Sequence, residues 1–322
     1  MVGEIKTSGS NRKYTRTTSA NGEIVIRVDG TSRKENHAFI VLAQHFAAKG
    51  LPVPRVLSVS DDEMSYTQED LGDTLLFDYI ASGRASGVFS ADECRMLEKT
   101  IRALAHIQIE GAEGMDWSVC YPVEAFDRRS VMWDLNYFKY DYLKLTGVEI
   151  DEPRLEDEFE HMSQSLLQVP RDAFMYRDFQ SRNVMIKDGK PYFIDFQGGR
   201  RGPVYYDLAS FLWQAKANLP QALREELLDA YRDEVETMKV SSFKFQVSGY
   251  PLPARKYFRQ TLNLFVLFRM LQVLGAYGFR GLFEGKQHFV ESIPLARQNL
   301  RELFAADEVL QNTYPYIMSV VC

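Results

Sequence analysis

The dipeptide Asp188-Gly189 separates two short apolar runs, NVMIK and KPYFIDF, in a chain that otherwise reads mostly as helix from residue 75 onward. An Asp-Gly pair between such runs specifies a tight hairpin, because the favoured two-residue turn needs positive φ at both central positions. The closing point of the hairpin is therefore fixed. It brings Asn183 and Asp195 close together at the strand ends despite their separation in sequence. Just upstream, YRDFQSRN places Asp178 five residues before Asn183. Each residue alone has a plain reading, an ion pair for "RD" and a strand-end turn for "DF". Together, an Asp, an Asn and a second Asp form a donor set suited to phosphoryl transfer from a nucleotide. One carboxylate orients an acceptor hydroxyl, while a neutral carbonyl and a second carboxylate hold a hard cation such as Mg2+.

The chain is long enough for a large core: 322 residues, 45% of them hydrophobic, accommodate two domains or one body with a smaller lobe. A net charge of −6 argues against a general nucleic-acid binder, whose footprint is a dense basic face. SNRKYTR is the one basic cluster of note, and it suits a local anion. Cys94, Cys120 and Cys322 are too few and too scattered for a disulfide framework or a zinc site, which fits reduced thiols in a cytoplasmic protein. MVGEIKTSGS has no apolar segment to mark it for export. LNLFVLFRMLQVLGAYGF, interrupted by Arg269 and Gln272, reads as a buried helix rather than a membrane span. Neither a nucleic acid nor a membrane is expected as partner. The apolar end NTYPYIMSVVC fits a docked terminus or a chain that continues into a further domain.

Strand-like segments KYTRTT and EIVIRVD are joined across SANGE, with Asn21-Gly22 as the expected turn. SRKENHAFIVLAQHFAAKG follows as an amphipathic helix, capped by Ser32 with Glu35 three residues on and ended by Gly50, Pro52 and Pro54. RVLSVSD and MSYTQED add two strands. EDLGDT marks a hinge, so residues 1–74 form a small sheet-and-helix lobe. Residues 75–322 are expected to be mostly helical, beginning with the capped segment SADECRMLEKTIRALAHIQIEG and interrupted by the hairpin. The class is α+β, with unequal lobes and a cleft as the natural ligand site.

YRDFQSRN, IDFQ and GPVYYDLASFL together resemble the aminoglycoside/choline kinase-like phosphotransferases, relatives of the protein kinases. They are most similar to the bacterial members that act on the anomeric hydroxyl of cell-wall amino sugars. The similarity spans nearly the whole chain, with the sharp motifs confined to residues 176–212. It implies a two-lobed protein-kinase-like fold, with residues 1–74 as the nucleotide-binding lobe and 75–322 as the catalytic and substrate-binding lobe. ATP and Mg2+ follow as cofactors. Asp178 matches the catalytic base, Asn183 and Asp195 match the Mg2+ ligands, and Asp207 matches a residue that braces the catalytic loop from a helix start. SGSNRKYTR occupies the place of the phosphate-covering turn. Backbone N–H groups of Ser10 and Asn11, with Arg12 or Lys13, are its phosphate-facing candidates, against the alternative of a solvated basic hairpin tip. QEDLG falls at the hinge, where backbone groups of Glu69 to Leu71 would face the adenine.

Two departures stand out. The family's phosphate-binding Lys is replaced by Arg27 in EIVIRV, and Arg and Lys differ in reach and shape. Strand alternation leaves Arg27 either in the cleft, with Glu35 as its partner, or solvated. Gln180 stands where related loops often carry His. The short interval from Asp195 to Asp207 lacks the long activation segment and A-P-E element of protein kinases, which points to a small-molecule acceptor.

For that acceptor, MWDLNYFKYDY offers aromatics for choline and DEPRLEDEFEH acidity for an aminoglycoside, although a helix core and a solvated face explain them equally. A sugar needs oriented polar groups. Arg269 and Gln272 share a helix face, serving either a pocket or local structure, and Asp134, Asn136 and Arg280 are looser candidates. The resulting expectation is ATP- and Mg2+-dependent phosphorylation of a small-molecule hydroxyl, led by a sugar such as N-acetylmuramate or N-acetylglucosamine. The alternatives are a choline or aminoglycoside kinase, or a nucleotide-binding regulatory protein without transferase activity, which Arg27 in place of Lys would favour.

Overall fold

Alternating apolar residues near the start of the chain build a five-stranded antiparallel sheet in the computed structural model, which describes residues 3–5, 12–241 and 252–322. The expected phosphate contacts Ser10 and Asn11 lie outside the described residues. Strands β1 (Gly3–Ile5), β2 (Lys13–Thr18), β3 (Ile24–Asp29), β4 (Val56–Val59) and β5 (Ser65–Glu69) are ordered β1-β2-β3-β5-β4. Register places Val28 between Tyr14 and Tyr66, and Arg27 between Thr15 and Thr67. The two-residue period then buries Val28 and Tyr66 on one face and exposes Arg27 on the other. β2 and β3 are joined through Ser19–Glu23, closed by a Gly22 N–H to Ser19 carbonyl bond of 3.0 Å. Only Gly22 of the expected Asn21-Gly22 pair has positive φ, because the longer link needs a single left-handed residue at its end.

Helix α1 (Arg33–Ala48) forms as its caps dictate. The Ser32 hydroxyl accepts from the Glu35 N–H, and the N–H groups of Gly50 and Leu51 return to the carbonyls of Ala47 and Phe46. The capping box is half-formed, since the Glu35 carboxylate reaches Arg12 instead of the Ser32 N–H. Phe39, Leu42, Ala43 and Phe46 line the buried face of α1. Phe39 stacks between Tyr66 of β5 and Phe196, at 5.1 and 4.8 Å between ring centres. Burying each such ring contributes about 1.5–3 kcal/mol, enough to tie the sheet to the segment that follows Asp195.

After the hinge come α2 (Leu76–Tyr79), α3 (Ala81–Ser86) and α4 (Ala91–Ile109), the last opened by a complete Ser90/Glu93 capping box. The second hairpin pairs β7 (Val184–Lys187) with β8 (Lys190–Phe193). Its turn residues Asp188 and Gly189 both have positive φ, 50° and 69°, as the dipeptide requires. Short strands β6 (Ala173–Met175) and β9 (Arg200–Gly202) pair separately.

Contacts divide the chain into two compact units. One holds residues 1–125, 173–201 and 225–250, and so contains the five-stranded sheet, α1–α4 and the β7–β8 hairpin. The other, residues 126–172, 202–224 and 251–322, is built around the helix Arg255–Tyr277. That helix packs on the helices Arg128–Phe138, Tyr205–Leu212 and Ile293–Ala306. The stretch Arg255–Phe283 is long and apolar enough to cross a membrane, yet most of it is buried within the protein, as a core helix is. Gly275 lets this helix approach Arg128–Phe138 closely, since a Cβ there would sit 2.8 Å from the Tyr137 carbonyl carbon.

Candidate active site

Aromatic packing holds the loop that runs from Tyr176 to Asn183. Tyr176, fully enclosed, packs edge-on against Phe179, Phe193 and Phe196, and its hydroxyl donates to the Ile194 carbonyl. The residues beside this box have uncommon backbone: Arg177 has φ 81° and Asp195 has φ 67°. Non-glycine residues in that region cost roughly 1–3 kcal/mol each and collect at functional sites. Here they flank or carry both key carboxylates.

The three residues singled out in the sequence come together. Asn183 Nδ2 donates to the Asp178 carbonyl at 2.8 Å and approaches the Asp178 carboxylate at 3.4 Å. The Asn183 side-chain nitrogen is thus engaged on Asp178. The Ile194 N–H donates to the Asn183 carbonyl, fixing the residue before Asp195 against the loop. Gln180, at the position where related loops carry His, donates to Asp178 Oδ2 at 2.8 Å and so orients the carboxylate.

Gln197 is a contributor that sequence reasoning missed. Its Nε2 donates to Asp195 Oδ1 at 2.8 Å and reaches Glu35 Oε1 at 3.4 Å. Its Oε1 is buried and has no hydrogen-bond partner among the described residues. An orphaned buried carbonyl beside a carboxylate is what a cation site presents before the ion arrives. Burial pushes the Asp195 carboxyl above its ordinary range; the Asp178 and Glu35 charges push the same way, and the Gln197 hydrogen bond and Arg12 oppose them. Among the described residues, the charges that act on Asp195 are thus those of Asp178, Glu35 and Arg12. No group of three or more His, Cys, Asp or Glu at metal-binding spacing occurs among the described residues. One carboxylate with two amide carbonyls instead fits Mg2+, which keeps water and phosphate oxygens in its own shell.

Of the two places that strand alternation leaves for Arg27, it takes the exposed one, and Arg12 stands beside Glu35. Arg12 is 6% exposed; its Nη2 lies 3.3 Å from Glu35 Oε1 and donates to the Glu35 carbonyl at 3.2 Å. Burial works against its charge, but Tyr66, Tyr14 and Glu35 more than offset this and raise its pKa. Arg27 lies on the exposed sheet face and pairs with Asp29 at 2.9 Å, so the expected Arg27–Glu35 pair does not form. The reason is register: residues of β3 on Arg27's face point away from α1. Lys13 is exposed and lies 3.4 Å from Glu4.

The hinge is tied from two directions. Arg16 of β2 bonds Asp70 at 2.6 Å and Asp73 at 2.7 Å. Lys187 of β7 donates to the Glu69 carboxylate at 2.8 Å and the Asp70 carbonyl at 3.0 Å. The Glu69 N–H is taken by the Arg55 carbonyl. Among the described residues no protein group pairs with the Leu71 peptide, while its side chain is buried. An open depression of about 490 Å3 runs along this hinge, lined by Ile24, Leu71, Thr74 and Ile186 among others. Neither Asp178 nor Asp195 lines it.

The remaining candidates belong to the helical unit. Asp207 is fully buried in the first turn of Tyr205–Leu212. Arg269 and Gln272 do share a face, but they bond each other, and Arg269 also donates to Ser210 Oγ at 3.1 Å and lies over Tyr206. This favours the structural reading of the pair. Asp134 is buried and Asn136 half-buried on Arg128–Phe138, and Arg280 pairs with Glu284 at 3.0 Å.

Residues 3–240 match the family described as Phosphotransferase enzyme family. An N-acetylmuramate/N-acetylglucosamine kinase of Pseudomonas aeruginosa is 25% identical over 290 residues, covering 88% of this chain and 78% of the relative. A Neisseria meningitidis protein of the same name is 24% identical over 315 residues, covering 96% and 87%. Among solved structures, a choline kinase from Cryptosporidium parvum superposes with a TM-score of 0.60 at 11% identity, covering 98% of this chain and 92% of that one. At that identity the likeness speaks to fold, and the fold is protein-kinase-like.

Proposed function

The chain belongs to the phosphotransferase enzyme family and is a small-molecule kinase, and from that premise we propose that it transfers the γ-phosphoryl group of ATP to a hydroxyl of an amino sugar, N-acetylmuramate or N-acetylglucosamine. The observation that carries the mechanism is that Gln180 and Asn183 hold Asp178 while Gln197 holds Asp195, and that the Ile194 N–H to Asn183 carbonyl bond ties the two groups together closely enough for the Asp178 charge to act on Asp195. The sugar reading draws on the names of the relatives, and the mechanism on the geometry.

In this reading Asp178, held by Gln180 and Asn183, accepts a hydrogen bond from the attacking hydroxyl and aligns it in line with the γ-phosphorus. Asn183, Asp195 and Gln197 would hold Mg2+, which when bound neutralises charge on the phosphate oxygens. Arg12, kept in place by Glu35, supplies the fixed cation for the phosphates in the role first expected of Arg27. The Leu71 peptide receives the adenine edge, residues 1–74 act as the nucleotide-binding lobe, and Asp207 braces the lobe spanning 75–322. A cytoplasmic site of action accords with the ATP supply.

The test is incubation of the protein with ATP and Mg2+ and a panel of amino sugars, neutral sugars, choline and aminoglycosides, followed by detection of ADP and phosphorylated product. Amino-sugar phosphate is expected, and Asp178→Ala or Asp195→Ala should abolish it. ATP binding without transfer to any acceptor would instead favour a regulatory protein.

A further inference from the structure

Strand β5 carries two polar side chains on the buried face of the sheet. Register sets Tyr66 beside Val28 and Gln68 beside Ile26, so their neighbours are the apolar residues that a buried sheet surface calls for. Tyr66 is 2% exposed and Gln68 7%, and neither the Tyr66 hydroxyl nor Gln68 Oε1 has a hydrogen-bond partner among the described residues. Buried polar atoms are normally paired, and leaving one desolvated and unpaired is costly. Two such groups at consecutive inward positions mark a face that meets a ligand rather than a closed core. For Tyr66 the contrast is sharp, because phenylalanine would fill the same space and stack on Phe39 without that cost.

The surroundings of the hydroxyl supply its reason. Phe39 of α1 is the common neighbour: the Tyr66 and Phe196 rings stack on it at 5.1 and 4.8 Å, and the Arg12 guanidinium carbon lies 5.8 Å from its centre. Phe196 stands between Asp195 and Gln197 in sequence, and Glu35 is one helical turn before Phe39. All of these residues belong to the unit that contains the sheet. Burial is the largest influence on the Tyr66 phenol and keeps it protonated; Tyr14, Asp195 and Glu35 push the same way, and Arg12 opposes. Beside the Arg12 cation there is thus a neutral O–H donor, held by a stacked ring with few rotatable bonds. A fixed guanidinium supplies charge and such a donor supplies direction, which together suit an anionic oxygen.

We propose that the Tyr66 hydroxyl donates to a phosphate oxygen of the bound nucleotide, as a second phosphate-binding group beside Arg12. The inference rests on the kinase reading above and adds a residue to it. It accounts for a tyrosine on a sheet face that packing alone would fill with phenylalanine. Without nucleotide the unpaired hydroxyl costs stability. With nucleotide it makes a charge-assisted hydrogen bond, so the same group adds to the preference for a phosphorylated ligand over the bare nucleoside.

The experiment is calorimetric titration of the intact protein and its Tyr66→Phe variant with ATP and with adenosine, each in the presence and absence of Mg2+, alongside thermal unfolding of both nucleotide-free proteins. Tyr66→Phe should weaken ATP binding about tenfold in either metal condition, the loss usual for one hydrogen bond to a charged group, and leave adenosine affinity unchanged. Its unfolding midpoint should equal or exceed that of the wild-type protein, because the variant discards an unpaired buried group. Unchanged ATP affinity overturns the contact. So does an equal loss for ATP and adenosine, which would mean a distorted pocket, or a loss seen only with Mg2+, which would assign the hydroxyl to the water shell of the metal. A lowered midpoint also overturns it, since the hydroxyl would then be bonded within the protein. Absence of transfer to every acceptor counts against the kinase reading alone, as these titrations need no acceptor; wild-type protein that binds ATP no more tightly than adenosine overturns the contact itself.

Discussion

At the residue scale, the deciding comparison is between two arginines fifteen positions apart in sequence, Arg12 and Arg27. Charge-assisted hydrogen bonds contribute about 1.5–3 kcal/mol, so Arg12→Gln should raise the KM for ATP roughly ten- to hundredfold, and Arg27→Gln should raise it far less. Steady-state kinetics at varied ATP checks this, and a larger effect at Arg27 would return the phosphate role to β3. The sequence supported the choice of Asp178, Asn183 and Asp195 because a fixed turn and a fixed loop length dictate their meeting. It left Glu35's partner open because strand alternation tells which residues share a face but not which face meets α1. Gln197 was in view as the last letter of IDFQ. Its role depends on an orphaned carbonyl that no spacing rule reveals.

At the element scale, capping and turn signals were the most legible part of the chain. Ser32, Ser90 and Asp188-Gly189 each gave the expected start or reversal, since these are local hydrogen-bond and φ requirements. Gly189→Val should therefore destabilise the protein by about 1 kcal/mol or more in denaturant unfolding, because a β-branched residue resists φ near 69°. Tertiary pairings between helices were not legible. His106 and Arg102 of α4 bond Glu234 of the helix Gln221–Ser241 at 2.8 and 3.0 Å. Burial disfavours the charged His106 ring, but its bonds to Glu234 and Glu110 outweigh that and raise its pKa. Such a raised group contributes stability that is full below its unfolded pKa and is lost as pH rises through the folded value. Glu234→Gln should thus cost more stability near pH 6, about 1 kcal/mol for a half-buried pair, than near pH 9. Thermal melts of both proteins at the two pH values decide it, and an equal cost at both would remove His106 from the account.

At the scale of the whole molecule, composition and patterning indicated a sheet-bearing start and a helical remainder, but not how contacts group them. The unit that contains the sheet recruits residues 173–201 and 225–250 across long intervals of chain. Long-range aromatic contacts such as Phe39 on Phe196 and Phe46 on Phe174 make that grouping, and side-chain periodicity in either segment carries no trace of its partner. This grouping has a measurable consequence. All the groups proposed to meet nucleotide and Mg2+, from Arg12 through Leu71 to Asp178, Asn183, Asp195 and Gln197, belong to that unit. A ligand at 100 times its Kd stabilises the state it binds by about 2.7 kcal/mol. Saturating ATP with Mg2+ should accordingly slow amide exchange most in β2, β3, the hinge and residues 176–197. Asp195→Asn should remove the part of that protection that depends on Mg2+ while leaving exchange in the nucleotide-free protein largely as it was, because the amide can still accept from Gln197. Protection that is the same with and without Mg2+ in the wild-type protein would dissociate the metal from this cluster, and the catalytic roles assigned to Asn183 and Asp195 would go with it.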